Sequence, residues 1–197
     1  MKNAKRTTVK PAETVLVLRA CNPDMSSRNG FVWPQVGRVA EAPDWKPETM
    51  CGNGLHGWLW GNGDINASGG THNVADAKWL VVEVIKSEIV DLTGKVKFPR
   101  GTVRFIGSAV DAAAMIQASA PVGTAVIYGT ATAGTRGTAT AGYAGTATAG
   151  ESGYILIRKY NPRTDYSWVC GQVGENGIEA NVPYKLDDHG KLVKVVK

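Results

Sequence analysis

The sequence predicts a β-rich α+β fold, with a mixed N-terminal domain followed by a short β-solenoid, or a β-meander, built on octapeptide repeats. Three observations predict it. The 197 residues include 24 glycines and nine prolines, a density that implies many turns and short strands. Residues 129–152 are three back-to-back copies of one octapeptide, GTATAGTR, GTATAGYA and GTATAGES, with six of eight positions invariant. A tandem repeat of that kind means one structural unit stacked on, or paired with, itself. Only one stretch, at 108–119, reads clearly as a helix.

Taken in order, residues 1–13 read as a basic, flexible arm closed by Pro11. A mixed α+β domain is expected over 14–120. It opens on the compact apolar run at 14–20, rich in β-branched residues, as a buried strand should be. Phe31-Val-Trp33-Pro34 is a short strand stopped by its proline. The stretch 50–64, MCGNGLHGWLWGNGD, alternates glycines with Leu55, His56, Trp58, Leu59 and Trp60. Such glycines permit tight turns, while the tryptophans supply large buried area and an N–H that needs a partner. Residues 78–85 read as a strand buried on both faces for part of its length. Residues 95–98 alternate as a half-exposed strand does, 99–101 form a turn, and 102–106 alternate again. Ser108 with Asp111 three residues later resembles a capping box, and 109–118 is rich in helix formers, with Val110, Ala113/Ala114 and Ile116/Gln117 giving one apolar side. The octad region is set at 121–160, beginning with a half-octad at 123–128. A C-terminal cap at 161–197 contains a strand at 166–173, an Asn-Gly turn and a terminal β-hairpin.

Within each GTATAG unit, threonine and alanine alternate. On a strand this places Thr130, Thr132, Thr138, Thr140, Thr146 and Thr148 on one face and the alanines on the other. Threonine suits an exposed sheet face, and alanine suits an interior where layers approach closely. The variable pairs Thr135-Arg136, Tyr143-Ala144 and Glu151-Ser152 fall in turns, flanked by glycines able to take positive φ. Two arrangements fit: a solenoid with two octads per coil, stacking its rows ~4.8 Å apart, or an antiparallel meander. An all-alanine interior is thin for a sandwich and favours the solenoid.

Composition bounds the function. No apolar run approaches the ~20 residues needed to span a bilayer, so no membrane partner is expected. The N-terminus has no apolar core of a secretory signal. Cys21, Cys51 and Cys170 are odd in number and widely spaced, which suits reduced thiols and a cytoplasmic setting. Of 22 basic residues, seven (Lys2, Lys5, Arg6, Lys10, Lys191, Lys194 and Lys197) lie at the chain ends. Basic termini of this kind can touch nucleic acid, but solvated ends are the plainer reading.

Candidate chemistry centres on Cys51, His56 and Glu83. Cys51 and His56 would act as a nucleophile and base if the fold brought them together with an orienting Asp64 or Asn53. A zinc site from Cys21, Cys51, His56 and His72 lacks metal-ligand spacing, so no metal and no cofactor is called for. The glycine clusters GNGLHG and GNGD lack the strand-to-helix transition of a phosphate-binding loop. Trp58 and Trp60, with Trp33 and Trp45, offer a binding surface if exposed, although core packing is their default role.

Three resemblances follow. Residues 141–149, AGYAGTATA, resemble the octads of bacterial ice-nucleation proteins, with Gly and Ala where those carry Ser. That resemblance implies solenoid coils whose Thr-x-Thr rows order water. Blocks at 18–21, 31–34, 42–45, 51–61, 79–84 and 95–101, with 174–177 and 183–186, resemble an uncharacterised family of bacterial and phage proteins that carry varying numbers of GTATAG octads. That family implies no activity. The Gly-Leu-His turn with a later Glu83 resembles, loosely, ADP-ribosyltransferase-type sites. The function expected is therefore a non-catalytic binding or structural protein, using the repeat as a rigid surface for self-association or protein docking. Water or ice binding through the threonine rows, and an enzyme using Cys51, His56 and Glu83, are the alternatives.

Overall fold

The computed structural model describes residues 11–161 and 165–196. The N-terminal basic residues Lys2, Lys5, Arg6 and Lys10, and Lys197, lie outside the described residues. Strand makes up 40% and helix 12%, the β-rich α+β balance expected.

The N-terminal part is one seven-stranded sheet. Its strands are β1 (Thr14–Cys21), β2 (Val39–Glu41), β3 (Leu55–Leu59), β4 (Lys78–Ile85), β5 (Val90–Asp91), β6 (Val96–Phe98) and β7 (Arg100–Gly107). They run in the order β2-β7-β4-β1-β3-β6-β5, and every neighbouring pair is antiparallel. β1 takes the centre because it is apolar on both faces: Val17 packs into one core with Leu80, Val82, Phe98 and Trp33, and Leu18 into another with Trp58, Trp79 and Val81. The turn expected at 99–101 is instead a bend. Only Pro99 separates β6 from β7, yet β6 pairs with β3 and β7 with β4, so one extended run crosses from one flank of β1 to the other. Proline has no N–H to donate to a ladder and tolerates such a break. A second departure is Lys97. The alternation suggests an exposed side chain, but it is 1% exposed, its Nζ donating to the carbonyls of Met50 (2.9 Å) and Gly52 (3.3 Å).

The helix α1 (Ala109–Gln117) begins at Ser108, whose Oγ accepts from the Asp111 N–H at 3.2 Å. It buries Ala112, Ala113 and Ile116 against the second core, while Val110 faces solvent, 62% exposed. Ala113 and Ile116 are thus buried as expected, while Ala112 rather than Val110 completes the apolar side, its small side chain letting the helix lie close to the sheet.

The octads form β8 (Thr130–Ala133), β9 (Thr138–Ala141) and β10 (Thr146–Ala149), followed by β11 (Tyr154–Asn161) and β12 (Asp165–Gln172). β8 and β10 pair in parallel, Thr130 beside Thr146, and β9 and β11 pair in parallel, Thr138 beside Tyr154. Successive octads thus lie on opposite sheets and every second octad stacks on its predecessor, a winding that excludes the meander. A hairpin of β13 (Tyr184–Leu186) and β14 (Leu192–Lys194) adds to β10, and β12 adds to β11. Between the two sheets lie Ala139, Ala141, Ala147 and Ala149, widening to Ile155, Ile157 and Tyr184 at the closed end.

The turns differ from the sequence reading. Positive φ falls on the second variable residue, Arg136 (58°), Ala144 (52°) and Ser152 (54°), rather than on the flanking glycines. Each turn is closed by an N–H to C=O bond three residues back, as Gly137 to Gly134 and Gly145 to Gly142 (3.0 and 3.1 Å) show. A turn of this type needs positive φ at its third residue. The glycines serve close approach instead: a Cβ on Gly142 would lie 2.5 Å from the Val126 carbonyl oxygen. The half-octad at 123–128 supplies the same turn, with Tyr128 at φ 58° and Gly129 bonded to Val126, and its backbone seats the coil.

Candidate functional site

The octad alternation fixes the outer face of the coil. Alanines point inward and are buried at 139, 141, 147 and 149, so the threonines point out. On the β8/β10 sheet, Thr130 aligns with Thr146 and Thr132 with Thr148, making a two-by-two grid. Neighbouring strands stand about 4.8 Å apart and alternate residues along a strand about 6.7 Å apart, so the hydroxyls form a regular mesh. On the opposite sheet Thr138 aligns with Tyr154 and Thr140 with Leu156, which ends that threonine row after one strand. The grid carries no ionisable group. Each threonine offers one donor, acceptor lone pairs and a methyl, a surface suited to ordered water rather than to proton transfer.

One end of the grid is open. Ala131 and Ala133 on β8 are only half-buried, whereas their counterparts Ala147 and Ala149 are fully enclosed, and a Cβ on Gly134 would meet nothing within 4 Å. The side-chain amide of Gln117 closes the start of this edge. Its Oε1 accepts from the Thr130 N–H at 2.9 Å and its Nε2 donates to the Thr130 carbonyl. Further anchoring comes from Tyr166, whose hydroxyl accepts from the Ile65 N–H at 2.6 Å and donates to Asp64 Oδ1 at 2.8 Å. Arg158 reaches the same loop, donating to Asn62 Oδ1 and the Gly63 carbonyl at 3.2 and 3.1 Å.

The other sequence candidates scatter. Trp58 is 2% exposed, stacks on Trp79 at 5.9 Å and donates its Nε1 to the Asp64 carbonyl at 2.6 Å. Trp60, at φ 52°, lines a shallow cleft beside Arg158 and Tyr166. Cys51 and His56 line one cavity of the N-terminal sheet. Glu83 does not line it. Its carboxylate faces Arg104 (2.5 and 3.1 Å) and accepts from Thr14 (3.1 Å). Burial pushes His56 down to about 4, and the nearby Lys95, Arg19 and Lys97 cations add to that. The ring is therefore neutral at pH 7. Cys21 is buried with its Sγ 3.9 Å from the Met25 sulfur, and His72 Nδ1 bonds Ser68 Oγ at 2.6 Å. Among the described residues no group of three or more His, Cys, Asp and Glu could hold a metal ion.

Several residues that shape these sites escaped the sequence reading. Arg19 in β1, Gln117 at the end of α1, and Tyr166 act through partners 37, 13 and more than 100 residues away. The one local signal is Arg19, a single cation inside an otherwise apolar strand.

Comparison with known proteins agrees with the repeat geometry. The chain is 42% identical over 112 residues to an ice nucleation protein of Xanthomonas campestris pv. translucens, covering 56% of this chain and 7% of that protein. It is 42% identical over 99 residues to one of Pseudomonas fluorescens (49% and 8%). It is 37% identical over 102 residues to ice nucleation protein InaU of Pantoea ananas (51% and 10%). The chain thus spans a tenth or less of the length of these curated relatives. No solved structure matches. The repeat, its winding and these relatives together define a β-rich, octad-repeat protein that resembles ice nucleation proteins. The chain belongs to the family described as Domain of unknown function (DUF7666), which matches residues 15–118.

The same comparison corrects the cytoplasmic setting. The matched relatives are ice nucleation proteins, which are surface proteins anchored at the outer membrane. Three cysteines, odd in number and widely spaced in sequence, do not outweigh that finding. No helix among the described residues is long and apolar enough to cross a membrane.

Proposed function

We propose that this chain is a non-catalytic binding protein in which a short β-solenoid, seated on a mixed domain, holds ordered water or ice on its outer threonine rows. The observation that carries this reading is the in-register grid of Thr130, Thr132, Thr146 and Thr148, set on two strands paired in parallel. The likeness to ice nucleation proteins supports it. Four threonines make a small patch, so the activity expected is binding to an existing ice face rather than nucleation. The test is ice recrystallisation in the presence of the full chain and of Thr132→Tyr/Thr148→Tyr. The wild type slows grain growth and the double variant does not. Equal grain growth with and without the wild-type chain refutes the reading.

The half-buried Ala131 and Ala133 favour a second reading, self-association through the β8 edge. A coil added there would bury both alanines and extend the grid in register. Sedimentation that shows dimer growth with concentration, abolished by Ala133→Lys, supports it. A strictly monomeric chain at high concentration rejects it.

A further inference from the structure

The cavity of about 360 Å³ beside the β1–β3 pair holds chemistry that the coil does not use. Three polar atoms in its walls, Arg19 Nε, Trp33 Nε1 and His56 Nε2, are fully enclosed and have no hydrogen-bond partner among the described residues. Orphaned buried groups are rare in native proteins, and three around one cavity call for an explanation. Arg19 is the most costly of them. Among the described residues its side chain makes one hydrogen bond, Nη1 to the His56 carbonyl, long at 3.4 Å, and its guanidinium lies 6.0 Å from the centre of the Trp33 ring. No carboxylate among the described residues pairs with it, and burial pulls its guanidinium from 12.5 to about 10. An arginine fork held without an anion is poised to take one.

The surroundings favour an incoming negative charge. Lys95 stands at the rim with its Nζ 3.1 Å from Cys51 Sγ, and Asp44, the one carboxylate lining the cavity, receives the Asn53 amide at 3.4 Å. Buried Lys97 pins the 50–52 backbone from behind, fixing the loop that forms the rim. Phe31 and Pro43 give the cavity an apolar side. Its volume lies within the range of about 300–1,000 Å³ usual for small-molecule sites.

We propose that this cavity binds a small organic anion, a phosphate ester or carboxylate carrying a flat ring, whose oxygens are received by Arg19 and Lys95 while His56 and Trp33 hydrogen-bond the ligand. This goes beyond the role of the threonine rows and does not depend on it. The cavity fits a ligand about the size of a mononucleotide, and the neutral His56 ring can either donate or accept.

The experiment is calorimetric titration of the full chain with adenosine monophosphate, benzoate and inorganic phosphate. One of the two ring-bearing probes binds with 1:1 stoichiometry at least tenfold more tightly than inorganic phosphate, and which one binds separates phosphate esters from carboxylates. Arg19→Gln lowers that affinity at least tenfold without lowering the melting temperature, because a half-buried cation with no carboxylate partner among the described residues has been removed. Arg19→Lys restores part of the affinity, and Lys95→Met lowers it several-fold in a chain whose core is untouched. Thr132→Tyr leaves it unchanged. Binding by neither ring-bearing probe overturns the proposal. So does binding that survives Arg19→Gln or, should that variant fail to fold, Lys95→Met.

Discussion

Alanine substitutions at one octad position, the sixth, test how the coil is built, because the same residue meets three different environments. A Cβ on Gly142 would lie 2.5 Å from the Val126 oxygen, 2.6 Å from its carbonyl carbon and 2.7 Å from the Ala125 oxygen. All are backbone atoms, and Val126 is itself buried in the core beneath α1. No side chain can rotate away, so the 125–126 segment or the coil must move. The substitution also strains the Gly142 N–H bond to Val126, at 3.2 Å. Overpacking of this kind costs about 3 kcal/mol. At ~2–4 °C per kcal/mol for a chain of this size, that lowers Tm by roughly 6–12 °C. On Gly150 the Cβ would lie 2.6 Å from the Thr135 nitrogen and 2.7 Å from the Gly134 carbon. That turn is exposed at the open end and yields, so the loss is about 1–2 kcal/mol. On Gly134 nothing lies within 4 Å and φ is not positive, so alanine is neutral or stabilising by up to about 0.5 kcal/mol. Thermal and urea melts of the three variants, followed by circular dichroism, give the ranking. Equal losses at the three positions, or a larger loss at Gly134 than at Gly142, would refute close coil-on-coil packing as the reason for these glycines.

Other outcomes follow from the same contacts. Tyr166→Phe removes a hydroxyl that bonds both Ile65 N–H and Asp64, and is expected to cost about 1–3 kcal/mol in a urea melt. Gln117→Ala uncaps the β8 edge, and hydrogen exchange at the Thr130 amide should quicken severalfold while that at Ala147 stays slow. His56 makes stability depend on pH. Its folded value, about 4, lies below the ordinary 6.5, so the unfolded chain takes up the proton first. Stability is constant above pH ~6.5 and falls as pH drops toward 4, by at most about 3 kcal/mol at ~1.36 kcal/mol per pH unit. His56→Gln should flatten that part of the profile. An unchanged slope between pH 6.5 and 4 would assign the loss to other groups.

How much of this was legible in the sequence depends on the range of the interaction. The β4 run announces a buried strand because every residue in it is apolar except Glu83 and the leading Lys78. The helix start is legible because Ser108 and Asp111 are three residues apart and satisfy each other locally. The octads are legible because their period is exact in sequence, and their alternation alone sets which face is threonine. What was hidden is whatever depends on a distant partner. Lys97 reads as exposed until the 50–52 carbonyls are seen around its ammonium group. Pro99 reads as a turn because nothing nearby says that its two neighbouring strands belong to opposite flanks. The octad glycines read as conformational switches, but the coil gives the positive φ to Arg136, Ala144 and Ser152 and uses glycine for contact. Arg19 could be noticed as a lone cation in an apolar strand, but not that its fork would lack an anion.

The most direct test of the threonine surface is a length series in octads. Inserting two copies of GTATAGTR after residue 136 adds one full coil, keeps every strand on its own sheet and lengthens the grid by one row. Inserting one copy moves each later octad to the opposite sheet and places β11 where β10 belongs. The account predicts that the two-octad chain melts as cooperatively as the parent and slows ice recrystallisation more strongly at equal concentration, while the one-octad chain loses both stability and activity. Recrystallisation rates that do not change with the number of coils would contradict it.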